Sequence, residues 1–314
     1  MQWLTAYEQQ LQLAFDDAQA VLSGFPEPFR SQALVYLDGF NILNKKHSQN
    51  YICYLLPFWL ERTAGHRAGD SRRLAVANIL GMMYYHLIDA CMDEPEPTAT
   101  RRLPLAEMIH LEFLRYYTGI FPGDSSFWAY YGKYVSEWAE AVSQEAGSDY
   151  LHDNPVLMGR KAAPVKLSVA GSMLRAEGGE THISRLEQAV DTVLVTLQLL
   201  DDWEDWEKDL QEGSYNSLIS KVRREAGIPA DHRPTPDEIR QGIYTYGVLS
   251  RLSELSNRNH ESLHDLKQSV PDLYEFHEFL RSNLEEGAME IERERMMLTR
   301  GGLEYWLSKN MNNS

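Results

Sequence analysis

The chain is poor in cysteine and has no long uninterrupted apolar run. Of its 314 residues only two are cysteine, Cys53 and Cys91, and their spacing is not that of a Cys-x-x-Cys pair. A disulfide-stabilised scaffold and a cysteine-rich zinc site are therefore not expected, and we predict a reducing, cytoplasmic location. No stretch of about 18 consecutive apolar residues occurs, and the N-terminus lacks a basic region followed by an apolar one, so neither a spanning helix nor a signal peptide is expected.

Basic residues are also scarce relative to acidic ones. Lys and Arg number 30 against 46 Asp and Glu, which gives a formal net charge of -16. Because this charge repels nucleic acid and anionic membrane surfaces, neither is predicted as a partner, and no integral membrane association is predicted. A protein this acidic that handles a polyanion needs metal cations as intermediaries.

Alternation of apolar and polar residues with period two is rare, whereas apolar residues recur every three to four positions. Proline- and glycine-rich breaks separate these stretches, and the 43% hydrophobic content is sufficient for a large core. We predict one all-α domain over residues 1–314, a bundle or barrel of ten or more helices. The predicted helices cover approximately 3–22, 28–46, 49–64, 70–94, 103–119, 124–147, 155–176, 181–212, 215–226, 236–258 and 272–298.

Two predicted helices are too apolar for the protein surface. They are RRLAVANILGMMYYHLIDACMDE (72–94) and LEQAVDTVLVTLQLLDDWEDW (186–206), which have few polar positions before their C-terminal ends. A helix that is apolar on nearly all sides is usually buried, so both are predicted to be central. Each then ends in a cluster of aspartates. The first cluster consists of Asp89 and Asp93, and the second of Asp201, Asp202, Asp205 and Asp209.

The spacing of the aspartates predicts a metal site. Residues four apart lie on one helix face, so Asp89 projects beside Asp93, and Asp201 beside Asp205. Like charges at this spacing destabilise a helix, and a helix C-terminus further disfavours negative charge. Divalent cations would offset both costs, and an all-oxygen ligand set favours Mg²⁺ over zinc.

Two other interpretations of the acidic clusters remain open. Both clusters could be solvated helix ends, as most charge runs are. A di-iron carboxylate bundle is a further alternative, because the sequence holds two Glu-x-x-His units. These units coincide with neither aspartate cluster. They are Glu107/His110 and Glu261/His264.

Several motifs resemble those of one enzyme superfamily. The stretch DDWED (201–205) fits the DDxxD motif of trans-isoprenyl diphosphate synthases, and Asp209 fits a further aspartate four residues beyond it. The stretch IDACMDE (88–94) resembles the DxxxDE first motif of squalene and phytoene synthases, and GRKAAPVKLSVAG (159–171) resembles the helix with the diphosphate-binding lysine, here Lys161. Over roughly residues 25 to 225 the chain thus resembles the class I isoprenoid synthase superfamily.

The resemblance implies an all-α barrel around a central cavity, with three Mg²⁺ ions bound and Mn²⁺ as an alternative. The oligomeric state is left open by the sequence, and the resemblance makes a homodimer one candidate. Lys161 and Arg160 would bind the substrate diphosphate, and the aromatic rings of Tyr85 and Trp203 would face the carbocation. Core packing is the alternative role for both rings. The implied catalytic residues are Asp89, Asp93, Asp201, Asp202 and Asp205, and the implied metal ligands are these five with Asp209.

The resemblance leads to three hypotheses about function. The first is a class I terpene synthase that ionises a linear prenyl diphosphate and cyclises the carbocation or eliminates a proton from it. The second is a prenyltransferase that condenses an allylic diphosphate with isopentenyl diphosphate or another acceptor. The third is a non-catalytic helical partner subunit. The Asn-Ser-Glu triad of many terpene cyclases is absent, and the aspartate series from Asp201 to Asp209 stands in its place.

Overall fold

A computed structural model describes residues 1–44, 50–65, 67–93, 99–145, 148–229 and 231–310. Over these residues the regular structure is helical and contains no strand, which confirms the all-α prediction. The central-cavity barrel and the single domain over residues 1–314 stay predictions. The α-helices are α1 (Gln2–Thr5), α2 (Glu8–Ser23), α3 (Phe29–Phe40), α4 (Tyr51–Trp59), α5 (Glu61–Ala64), α6 (Ala68–Asp93), α7 (Leu103–Thr118), α8 (Phe127–Gln144), α9 (Tyr150–Asp153), α10 (Val156–Arg160), α11 (Leu167–Met173), α12 (Glu180–Glu204), α13 (Trp206–Glu212), α14 (Ser217–Ala226), α15 (Pro236–Tyr246), α16 (Val248–Ser262), α17 (Leu266–Ser269) and α18 (Pro271–Asn310).

Several predicted helices are divided in the structure. The predicted helix 155–176 consists of α10, a 3₁₀ turn and α11, because Pro164 has no N–H and disfavours helical backbone in the residue before it. The predicted helix 236–258 is split at Gly247, whose φ of 59° ends α15. The predicted helix 181–212 is split at Asp205.

The chain divides into two compact units. Unit 1 comprises Met1–Ser136, Ala163–Gln188 and Leu266–Leu273. Unit 2 consists of the remaining segments, Glu137–Ala162, Ala189–Asp265 and Tyr274–Ser314.

Helix α6 is the most apolar long helix described. Its segment Gly69–Met92 has a mean hydropathy of 1.3, so by length and composition it is long enough to cross a membrane. Within the apolar 18-residue stretch of this segment, 56% is buried. Buried core helices of soluble proteins can have the same length and composition. The prediction that the chain has no integral membrane association therefore stays untested.

Helix α6 forms the core of unit 1, packed against α2, α4 and α7. One polar side chain, Asn78, lies within this apolar environment and is 7% exposed. Its Nδ2 donates to the carbonyl of Cys53 (2.9 Å) and to Oγ of Ser168 (2.5 Å), while its Oδ1 accepts from the hydroxyl of Tyr117 (3.2 Å). The amide therefore links α6 to α4, α7 and α11.

The position of Asn78 follows from a proline in α4. In a regular helix the carbonyl of Cys53 would accept from the N–H of residue 57, but that residue is Pro57, which has none. The side chain of Asn78 supplies the donor that the helix lacks. A buried carbonyl without a donor would cost free energy, so Pro57 and Asn78 are energetically coupled.

We predict that Asn78→Leu lowers the free energy of unfolding by about 3 kcal/mol, because three buried polar groups lose a partner. In a Pro57→Ala background the restored N–H can bond Cys53, so the penalty should shrink by about 1 kcal/mol. Urea denaturation of the four proteins of this cycle measures the coupling. As a control, Pro236→Ala at the start of α15 should leave the Asn78→Leu penalty unchanged. Strict additivity with Pro57→Ala would contradict the coupling.

A buried histidine connects three helices of unit 2. His277 of α18 is 0% exposed. Its Nδ1 lies 3.0 Å from Nδ1 of His260 on α16, and its Nε2 lies 2.9 Å from Oγ1 of Thr196 on α12. Burial, with a smaller contribution from the neighbouring His260, lowers the pKa of His277 to about 3. His277 is therefore neutral in the folded protein at any pH near neutrality.

This histidine should make the protein sensitive to acid. The unfolded chain binds a proton at His277 below its ordinary pKa, whereas the folded protein does so only near pH 3. The stabilising contribution is thus complete above the unfolded pKa and declines as the pH falls, by about 2 kcal/mol at about pH 5. Urea denaturation at several pH values should show a smaller decline in His277→Gln than in the wild type. His264→Gln, at an exposed position of the same unit, is the control. Equal declines in wild type and His277→Gln would sink the assignment.

Candidate functional site

The second aspartate cluster lies where α12 ends. Asp201 and Asp202 belong to its last turn, whereas Asp205 precedes α13 as its N-cap with φ of −108°. Two backbone hydrogen bonds with the four-residue spacing of an α-helix persist at this break. The N–H of Asp205 donates to the carbonyl of Asp201 (2.9 Å), and the N–H of Asp209 donates to the carbonyl of Asp205 (3.0 Å). The prediction of one continuous helix over 181–212 is therefore wrong at Asp205, although the four-residue connections survive. Four aspartates within nine residues disfavour a regular helix here by mutual repulsion.

Asp202 differs from its neighbours because it is buried, with 1% of its surface exposed. Its Oδ2 accepts from the backbone N–H of Ser217 (2.8 Å), and its Oδ1 accepts from Nε2 of Gln198 (2.7 Å). Both carboxylate oxygens are thus engaged by protein donors. The first of these bonds fixes the N-terminus of α14 against the last turn of α12, where the positive end of the α14 dipole favours a carboxylate.

Asn216 completes this junction. Its Nδ2 donates both to the backbone carbonyl of Asp202 (2.8 Å) and to Oδ2 of Asp209 (2.8 Å), and its Oδ1 accepts from the N–H of Ile219 (3.1 Å). One amide therefore caps the end of α12, holds Asp209 and starts α14. Sequence analysis missed both Asn216 and Ser217, although an asparagine before the pattern SLISKV is a helix-start signal.

The carboxylates in this cluster repel one another. Solvent reaches Asp201, which is exposed on the surface, but surrounding protein partly desolvates it. This desolvation, together with the charges of Asp202, Glu204 and Asp205, raises the pKa of Asp201 to about 7. The charge of Lys161 acts in the opposite direction without cancelling it. The cluster therefore carries uncompensated negative charge, the situation in which a bound cation is most favourable.

Desolvation likewise raises the pKa values of Asp202 and Asp209. Hydrogen bonds from Ser217 to the first and from Asn216 to the second partly offset the increase. The charge of Lys161 reaches both carboxylates too. One lysine is therefore the shared counter-charge of three aspartates.

A glycine contact explains how Lys161 comes to this position. A Cβ on Gly159 of α10 would lie 3.0 Å from the carbonyl oxygen of Asp191 and 3.0 Å from the N of Val195, both on α12. Only glycine permits this approach of α10 to α12. The residues that follow it, Arg160 and Lys161, are thereby held beside α12.

Carboxylates of the same unit contact both basic residues. Nζ of Lys161 donates to Oε1 of Glu145 at 2.7 Å. The guanidinium of Arg160 is held more loosely, 3.7 Å from Glu137 and 3.9 Å from Asp191, and its Nε is buried without a hydrogen bond to any described residue. Arg160 therefore retains hydrogen-bonding capacity for an anion.

Four predicted residues are not part of this set of carboxylates and basic side chains, namely Tyr85, Asp89, Asp93 and Trp203. In unit 1, Asp89 is exposed on α6, one turn after the half-buried Tyr85 on the same face. Helix α6 ends at Asp93, whose side chain lies outside the described part of the structure. In unit 2, Nε1 of Trp203 would lie 2.9 Å from a Cβ on Gly287, so its indole packs closely on α18. For Trp203 this contact favours packing of the motif helix over lining of a cavity.

In the structure the positive charge of Lys161 thus acts on the carboxylates of Asp201, Asp202 and Asp209 and lowers their pKa values. Among the residues that the structure describes, no three His, Cys, Asp or Glu side chains form a group that could hold a metal ion on their own. Comparison of the chain with protein-family models, curated proteins and solved structures found no match.

The raised pKa of Asp201 predicts a stability effect that depends on pH. Between its ordinary pKa and about 7, the folded protein binds a proton that the unfolded chain lacks, so this group becomes destabilising as the pH rises through that window. Asp201→Asn should therefore raise the Tm in chelator by a few degrees at about pH 8 and by less at about pH 5. Glu254→Gln, at an exposed site on α16, serves as the control. A Tm gain for Asp201→Asn that is the same at both pH values would contradict the assignment.

Proposed function

We propose that this chain is a Mg²⁺-dependent class I terpene synthase that ionises a linear prenyl diphosphate and converts the carbocation to a terpene. The observation that carries this proposal is the juxtaposition of the carboxylates at the end of α12 with the charge of Lys161, which does not cancel the repulsion among them. Such an arrangement is costly by itself, but it suits a diphosphate that brings metal cations with it.

The available oxygens fit magnesium. Asp201 and Asp205 are exposed and one helical turn apart, and Mg²⁺ in proteins commonly uses one or two carboxylates together with substrate phosphates and water. Because both oxygens of Asp202 accept hydrogen bonds from protein groups, we assign it to positioning the motif. Asp209, held by Asn216, and the first-motif residues Asp89 and Asp93 remain proposed ligands. Bound magnesium would neutralise the developing charge on the leaving diphosphate.

The chain's own cations complete the anion site. The guanidinium of Arg160, whose contacts to Glu137 and Asp191 are long, offers donors for a phosphate oxygen, and the charge of Lys161 acts on the aspartates. Each is tied to carboxylates, so diphosphate must displace or share those contacts. A site of this kind binds a bare diphosphate weakly and a magnesium diphosphate well, because metal removes the repulsion from the aspartates.

The decisive experiment supplies purified protein with Mg²⁺ and prenyl diphosphates of increasing length, with and without isopentenyl diphosphate. We expect release of diphosphate and a terpene from a single substrate. Longer diphosphates that form only with isopentenyl diphosphate would favour the prenyltransferase, and no turnover with any substrate would favour the partner subunit.

The aspartates should differ in this assay. Asp201→Asn and Asp205→Asn should each reduce diphosphate release by about a hundredfold or more with near-native helical content, because metal contacts are lost. Asp202→Asn should in addition lower the Tm, since an amide cannot accept at both oxygens. The control Glu254→Gln should keep full activity. Undiminished release in both Asp201→Asn and Asp205→Asn would refute the metal assignment.

A further inference from the structure

The two basic residues of the candidate site differ in how tightly carboxylates hold them. Nζ of Lys161 donates to Oε1 of Glu145 at 2.7 Å, and the two side chains are only 25% and 28% exposed. The guanidinium of Arg160 lies 3.7 Å from Glu137 and 3.9 Å from Asp191, beyond hydrogen-bond distance. An anion can therefore approach Arg160 without breaking a hydrogen bond to these carboxylates, but it reaches Lys161 only in competition with Glu145.

Glu145 occupies a position that its own helix does not favour. It follows Gln144, the last residue of α8, where the helix dipole disfavours negative charge. The ammonium of Lys161 compensates that charge. Because solvent is largely kept away from the pair, their attraction is stronger than that of an exposed ion pair. The contact therefore holds both side chains in place.

Lys161 has a second electrostatic role in the same unit. Its positive charge lowers the pKa values of Asp201, Asp202 and Asp209, against the raising effect of desolvation. An anion that arrives without metal is repelled by these carboxylates and also has to share the cation that stabilises them. An anion that brings divalent cations meets neither difficulty, because the cations compensate the carboxylates directly.

We propose that Glu145 is a specificity-determining residue of this anion site, which excludes anions without a divalent metal by competing with them for Lys161. The inference rests on the proposed function, because it assumes that a magnesium diphosphate binds at the end of α12. Glu145 acts through Lys161 and needs no contact with the ligand. Once metal ions compensate the aspartates, Nζ of Lys161 is able to donate to a phosphate oxygen at the expense of Glu145.

Competition for Lys161 differs from an ordinary structural ion pair in the sign of its effect on binding. A pair that positions Lys161 for the ligand would strengthen binding, so its loss would weaken the affinity for anions. A competing carboxylate weakens binding, so its loss strengthens the affinity, and most for the anion that it excludes. Selectivity between two ligands often depends on such an unfavourable contact with the wrong one.

The test measures binding of inorganic pyrophosphate by calorimetric titration at low ionic strength, once in chelator and once with Mg²⁺. Glu145→Gln removes the charge and keeps the size of the side chain. Glu140→Gln is the matched control, because it removes the same charge from an exposed position on α8. Lys161→Gln and the double variant Lys161→Gln/Glu145→Gln complete a cycle that isolates the effect transmitted through the lysine.

We expect Glu145→Gln to lower the Kd for pyrophosphate by about tenfold in chelator and by less than about threefold with Mg²⁺, so that the preference for the metal-bound anion falls. Glu140→Gln should leave both Kd values near those of the wild type. In the Lys161→Gln background, Glu145→Gln should change the Kd no more than Glu140→Gln does.

Two results would overturn the role of Glu145. One is an unchanged or higher Kd in chelator for Glu145→Gln, and the other is an equal effect of this substitution with and without Lys161. A wild-type protein that binds no pyrophosphate even with Mg²⁺ would overturn the diphosphate site and this inference together. Selective binding without turnover of any prenyl diphosphate would overturn the terpene synthase alone, so the two failures are distinguishable.

Discussion

The burial of one carboxylate, Asp202, is the constraint on which the candidate site depends. Because its two oxygens accept from Ser217 and Gln198, the register of the last turn of α12 is set and α14 begins at a defined point. Asn216 then closes the same junction from the other side. With Asp202 directed inward, helical geometry places Asp201 where solvent reaches it. The exposed aspartates are thus positioned by a buried one.

The junction also concentrates negative charge at the end of α12, where the helix dipole disfavours it. Unit 1 offers a useful contrast, because there the carbonyl left unbonded by Pro57 receives a neutral donor from Asn78. At the α12 end the charge of Lys161 acts on three aspartates and that of Lys208 on Asp209, while Glu145 also engages Lys161. The structural defect in unit 1 is thus satisfied within the chain, whereas in the described part of unit 2 the repulsion among the α12 carboxylates is only partly offset.

The local sequence pattern was sufficient to predict the helical class and the aspartate spacing, but not the contacts between helices that position the cluster. Periodicity identified the all-α class and the two apolar helices, and four-residue spacing placed Asp201 and Asp205 together. What the pattern missed depends on partners distant in sequence. The approach of Gly159 to α12 and the pairing of Asn78 with Cys53 are tertiary contacts that no window of neighbouring residues contains. The break at Asp205 reflects repulsion whose strength depends on desolvation, which is known only once the fold is known.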